Sequence, residues 1–219
     1  MTAGRKVNTL SQSWCTPPKY VNAIKKFWGG VIELDPCSND FSIVKARTEF
    51  KLPQTDGLKE CWDFKTIYVN PPYGADRSRG TTIKDWLAKC CQSHNSYRSE
   101  IIALIPVAPN TTHWKKCIFG QATAICFLYD TRLRFLVDGV DTGKGAPMAC
   151  CLVYWGDNYC DFFDNFIEYG AVVDIRNLQK KKIGEDLRHL SLFNDVSYII
   201  SLACFAVILS VIFFILFYN

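Results

Sequence analysis

A chain of 219 residues has room for one ordinary α/β domain of roughly 150–200 residues and little more. Its hydrophobic content of 49% and aromatic content of 14% exclude a disordered protein, and a net charge of +4 permits an anionic partner without being enough to bind one by charge alone. The eleven cysteines are odd in number and include no CxxC pair; the adjacent pairs Cys90–Cys91 and Cys150–Cys151 do not match the usual zinc spacings, and Met1–Val7 is polar. Reduced thiols in an intracellular protein, with no metal site, are expected rather than a secreted disulfide framework.

Along the chain, strand-like and helix-like segments alternate, the pattern of an open α/β sheet with helices on its faces. Residues 19–28 have helical spacing, with Val21, Ile24, Phe27 and Trp28 on one side. Thr16 is the expected cap, Pro17 and Pro18 fill the first turn, and Gly29–Gly30 ends the helix. Residues 31–34 (VIEL) read as a strand ending at Asp35–Pro36, and residues 66–69 (TIYV) as one ending at Asn70-Pro71-Pro72-Tyr73. A polar loop leads to a helix over 84–93, a buried strand over 101–107 and a short helix over 112–119. Strands follow over 124–129 and 149–155. Two of these strands end where polar or proline-rich segments begin, and open α/β sheets bind ligands beyond the carboxyl ends of their strands.

Asn70-Pro71-Pro72-Tyr73 is the strongest signal, since four specified residues in a row arise by chance in about one chain in a thousand of this length. Each position has a chemical reason. An exocyclic adenine amine is a poor nucleophile because its lone pair is delocalised into the ring. Two acceptors aimed at its N–H bonds favour a more tetrahedral nitrogen able to attack an activated methyl. The Asn70 side-chain carbonyl and the Pro71 backbone carbonyl can be those acceptors. Successive prolines fix φ and remove N–H donors, so the segment offers carbonyls on a rigid frame. Tyr73 can stack on a base swung out of the duplex.

Asp35, at the end of the earlier strand, is placed to bind an ammonium group such as that of an amino-acid-like cofactor. Asp56, in the turn Asp56-Gly57-Leu58, is a candidate for a cofactor's adenine amine. The absence of a GxGxxG run disfavours a nicotinamide or flavin site.

Taken together, these residues resemble the phage-type DNA N6-adenine methyltransferase family. The resemblance runs through Trp14-Cys15-Thr16-Pro17, Leu34-Asp35-Pro36-Cys37, Asp56-Gly57-Leu58 with Trp62, and Asn70-Pro71-Pro72-Tyr73-Gly74. It continues through Trp86, Leu104-Ile105-Pro106, Trp114, Arg132-Leu133-Arg134-Phe135 and Gly145-Ala146-Pro147 to Tyr154-Trp155. It covers roughly residues 10–157. What it implies is a Rossmann-like methyltransferase fold: a mostly parallel seven-stranded sheet with a reversed final hairpin and helices on both faces. It further implies transfer of a methyl group from S-adenosylmethionine to a flipped-out adenine in double-stranded DNA. Asn70, Pro71, Pro72 and Tyr73 would form the catalytic turn. Trp14, Thr16, Pro17, Asp35, Pro36, Cys37 and Asp56 would hold the cofactor. The acidic residue that grips the cofactor ribose is not evident between Asn39 and Gln54, where Glu49 is the candidate. The NPPY element alone is shared with N4-cytosine methyltransferases, which are the enzymatic alternative.

Arg132 and Arg134 alternate along an expected strand and so share one face; with Arg77 and Arg79, after the catalytic turn, they are the candidates for DNA contact. Residues 137–147, glycine-rich and polar, lack the Walker spacing and read as a flap over the substrate. Residues 1–178 are expected to form the catalytic domain and 179–195 a basic linker carrying Lys180-Lys181-Lys182 and Arg188. Residues 196–219 hold no charge and are long enough for a hydrophobic helix spanning a bilayer, with the body kept inside the cell. A membrane-tethered, non-catalytic binding module on the same fold is the alternative from another class; the intact Asn70–Tyr73 turn argues against it.

Overall fold

The computed structural model describes residues 14–130, 132–143 and 145–179. The chain divides into two compact units, Met1–Asn177 and Leu178–Asn219. The expected basic linker from residue 180 and the expected hydrophobic helix of 196–219 lie outside the described residues. Among those described, no helix is long and apolar enough to cross a membrane.

The elements in chain order are β1 (Trp14–Cys15), α1 (Pro18–Phe27), β2 (Leu34–Asp35), β3 (Thr48–Glu49), β4 (Thr66–Val69), α2 (Ile83–Tyr97) and β5 (Glu100–Pro106). They continue with α3 (Thr112–Cys117), β6 (Ala124–Leu128), β7 (Leu136–Val137), β8 (Val140–Asp141), β9 (Cys150–Trp155), α4 (Tyr159–Phe166) and β10 (Gly170–Asp174). A 3-10 turn follows at Arg176–Gln179. A seven-stranded sheet has the order β10-β6-β9-β5-β4-β2-β3, and a small second sheet the order β1-β7-β8.

In the large sheet β3, β2, β4 and β5 run parallel, β9 is antiparallel to both β5 and β6, and β10 is antiparallel to β6. Five strands therefore point one way and two the other, so the sheet is more mixed than the sequence reading had it. The reversed hairpin is the pair β6–β9, and it is not final. Helix α4 follows it and carries the chain back so that β10 takes the open edge of β6.

Period-2 alternation explains why this sheet is covered on both faces. In β5, Ile102 and Leu104 join a core with Tyr20, Val21 and Ile24 of α1 and Phe162 and Phe166 of α4. Ile101, Ala103 and Ile105 join the opposite core with Trp86, Leu87 and Cys90 of α2 and Trp114 of α3. A strand buried on both faces reads as one apolar run, as IIALIPV does.

Local signals set the helix ends. Pro18 opens α1, but its cap position is Pro17, whose carbonyl accepts from the Tyr20 and Val21 amides at 3.1 and 3.3 Å. Thr16 is thus not the expected cap; its hydroxyl is hydrogen-bonded to the Tyr68 hydroxyl at 2.6 Å. Gly29 and Gly30 take φ of 66° and 98°, which ends α1 as expected. Helix α2 begins at a capping box, Thr82 N–H donating to the Asp85 carboxylate at 2.8 Å, and runs to Tyr97, past the expected end. The predicted strand over 31–34 shrinks to Leu34–Asp35.

Ten cysteines lie among the described residues, and six of them are buried. Among the same residues no group of three or more His, Cys, Asp or Glu side chains could hold a metal ion.

Candidate active site

The four parallel strands bring their carboxyl ends to one edge of the sheet. Asp35 closes β2, Glu49 closes β3, Asn70 follows β4 and Pro106 closes β5. Cys150, the first residue of the reversed β9, is paired with Pro106 and shares that edge. Residues far apart in sequence become neighbours because parallel pairing puts like ends together.

At this edge Asn70 donates an Nδ2 hydrogen to the Trp14 backbone carbonyl at 3.1 Å. A carbonyl only accepts, so this contact fixes which way the amide faces. Oδ1 is left turned from Trp14, and among the described residues no hydrogen bond engages it. Pro71 is buried, while Pro72 and Tyr73 are half-buried. The Tyr73 hydroxyl donates to the Leu104 carbonyl at 3.1 Å, and burial holds that phenol well above its ordinary range. Its ring meets Trp14 edge-on at 6.4 Å and Phe135 edge-on at 5.8 Å; Trp14 and Phe135 are stacked at 5.2 Å.

Asp35 is 4% exposed. Its Oδ1 accepts from the Cys37 amide at 3.2 Å, but burial and then the neighbouring Glu49 carboxylate push its pKa up to about 7. The register pairs Asp35 directly with Glu49. Burial and then the Asp35 charge push the Cys37 thiol well above its ordinary range, opposed by a hydrogen bond from the Asn70 backbone amide. Pro36 is also buried, and its carbonyl lies so close to Gly57 that an added Cβ there would overlap it. The Gly57 carbonyl in turn accepts from the buried Trp62 indole at 2.7 Å. The Asp56-Gly57-Leu58 turn is thereby locked beside the segment that carries Asp35.

Among the described residues the buried Trp14 Nε1 and Glu49 Oε1 have no hydrogen-bond partner, while the buried Ser38 hydroxyl interacts with the Asp35 carboxylate. Each unpaired group of this kind costs about 1–3 kcal/mol. They offer one donor and one carboxylate oxygen, on segments that flank Asp35 or Asn70.

The structure does not gather every candidate at this edge as a free group. Asp56 accepts from Arg79 Nη1 at 2.9 Å, and Arg79 Nε donates to Asp76 at 2.7 Å. Arg79 thus sits between two carboxylates, and with Ser78 it holds the Asp76 carboxyl well below the usual range. Arg132 and Arg134 are not in a strand, which begins only at Leu136, yet the expected alternation persists. Both arginines are exposed, while Leu133 and Phe135 are 2% and 3% exposed. Arg132 Nη1 donates to the Pro147 carbonyl at 2.8 Å, tying the two ends of the glycine-rich loop together. Arg77 is exposed and has no ion pair among the described residues.

Glu49 gains its place from its register beside Asp35, and Phe135 lies on the buried face opposite Arg132 and Arg134; no sequence signal singles out Ser38. No curated protein matches the chain. The family model described as DNA N-6-adenine-methyltransferase (Dam) matches residues 5–182, and the chain belongs to that family.

Proposed function

We propose that this protein methylates the exocyclic amine of adenine in double-stranded DNA, at specific sites and on a base turned out of the helix, with S-adenosylmethionine as methyl donor. The observation that carries this reading is the orientation of Asn70. Its NH2 group is committed to the Trp14 carbonyl, so Oδ1 remains as an acceptor for an incoming N–H. The Pro71 carbonyl is the second acceptor, on a backbone that the two prolines stiffen. Two acceptors draw the amine toward a tetrahedral shape and free its lone pair, and a donor there would repel it. No base of tuned pKa is required, because the nitrogen sheds its proton after alkylation; holding the amine in place does most of the work.

The polar atoms at the edge suit the cofactor. Asp35 matches its ammonium, Glu49 Oε1 and Ser38 Oγ match ribose hydroxyls, and Trp14 Nε1 is a donor for a carboxylate or ring nitrogen. Asp56, once separated from Arg79, is suited to the adenine amine. When bound, the sulfonium supplies an electrophilic methyl carbon. Thr16, Pro17, Pro36 and Cys37 shape the walls, and the buried Thr16–Tyr68 hydroxyl pair ties the first of these segments to β4. Tyr73, with its hydroxyl anchored inward, offers a ring for the extruded base. Arg77, Arg132 and Arg134 are exposed cations suited to phosphates.

Incubating the full chain with labelled S-adenosylmethionine and unmethylated duplex DNA, then digesting to nucleosides, tests the reading. Label in N6-methyladenine is expected. Label in N4-methylcytosine, or none in any DNA while the cofactor binds, would overturn it.

A further inference from the structure

Among the described residues the Asn70 side chain makes one hydrogen bond, to the Trp14 carbonyl. Among the same residues Trp14 and Cys15 pair with Val137 and Leu136 at the edge of the small β1-β7-β8 sheet. Strands β7 and β8 have two residues each, so side-chain packing is needed to hold this sheet in place. For Trp14 that packing comes from its ring. The indole lies flat on Phe135, with centroids 5.2 Å apart and planes at 19°. Phe135 also meets the Tyr73 ring at 5.8 Å and 77°. It adjoins Leu136, which pairs with Cys15, so backbone and ring grip β1 together. At 3% exposure it is closed off from any large ligand and acts through its neighbours.

We infer that Phe135 is a positioning residue: it clamps Trp14 and Tyr73 on either side of Asn70, so that the Trp14 carbonyl holds the amide with Oδ1 outward. The inference rests on the role given to Asn70 above. Without the ring, β1 loses its plate and the Trp14 carbonyl shifts. The Asn70 amide is then free to rotate, and an NH2 turned toward the substrate amine sets donor against donor. Phe135 directly precedes the β7–β8 hairpin, and the segments on either side of that hairpin are joined by Arg132 to the Pro147 carbonyl and by the Ala146 amide to the Leu133 carbonyl at 2.7 Å.

The test compares Phe135→Leu with Phe135→Tyr, which keeps a ring, and Phe135→Met, which fills similar space without one. Single-turnover rate is normalised to cofactor sites counted by calorimetry, so loss of folded protein does not mimic the effect. We expect the Leu and Met variants to slow methyl transfer at saturating cofactor and DNA by about tenfold or more, a larger loss than any weakening of cofactor Kd or DNA KM. The Tyr variant should recover most of the rate. In an Asn70→Asp background, where no amide donor remains for Trp14, Phe135→Leu should cost less than about twofold further. An unchanged normalised rate in Phe135→Leu and Phe135→Met, or the same fold-loss in both backgrounds, would overturn the inference while leaving Asn70 its role. Full activity of Asn70→Ala would instead sink the reading of Asn70 and the clamp with it.

Discussion

Asp35 ties the stability of the protein to pH through a single buried carboxylate. Burial and the adjacent Glu49 raise its pKa to about 7, against about 4 in an unfolded chain. The folded protein therefore binds this proton more tightly than the unfolded one. Between about pH 4 and pH 7 the stability of the cofactor-free protein falls as pH rises, and above about 7 the full cost of the buried charge is present. Asp35→Asn should remove that cost and raise the melting temperature at pH 8 relative to pH 5; an unchanged pH dependence in denaturation scans would contradict this. A ligand ammonium reverses the preference, because it favours the ionised form. Cofactor affinity measured by calorimetry should then rise up to about tenfold per pH unit below 7 and level off above it, and the slope should vanish in Asp35→Asn. At this scale the Asn70–Tyr73 turn was legible as a motif because it is four contiguous residues after an apolar strand. Glu49 was visible only as a candidate, since its place beside Asp35 is created by strand register.

Elements differ in how plainly they announce themselves. β4, β5 and β9 are apolar runs bounded by polar residues, and α1 and α2 carry helical spacing with capping signals; all were readable. β3, β7 and β8 have two residues each, too few to establish a period of two, and exist because neighbours pair with them. The segment 132–135 alternates like a strand but joins no strand ladder until Leu136. Its alternation reflects one buried face rather than a ladder. The Asp56–Leu58 turn reads as an ordinary Asp-Gly turn, yet Gly57 is required by close approach to Pro36. Gly57→Ala must push the two segments apart. We expect a loss of about 1–3 kcal/mol, seen as a drop of several degrees in melting temperature, together with weaker cofactor binding. Wild-type values for both would mean that the approach is looser than described.

Within the first unit, the fold is a three-layer arrangement whose parallel strands bring their carboxyl ends to one side of the sheet. The seven-stranded sheet with helices on both faces followed from alternation and resemblance. The interposed β9 and the edge strand β10 did not, because nothing local in a strand specifies its neighbour. The uncharged stretch of residues 196–219 remains a sequence expectation. On it we predict that the full chain sediments with membranes and that a chain ending at residue 195 does not; equal partitioning of both would remove the tail from any anchoring role. The central claim is that Asn70 Oδ1, held outward by Trp14, activates the adenine amine. Its most direct measurement is single-turnover methylation by Asn70→Ala under saturating cofactor and DNA. The account predicts a fall of about 100-fold or more with cofactor Kd retained, whereas a rate equal to the unaltered protein would contradict it.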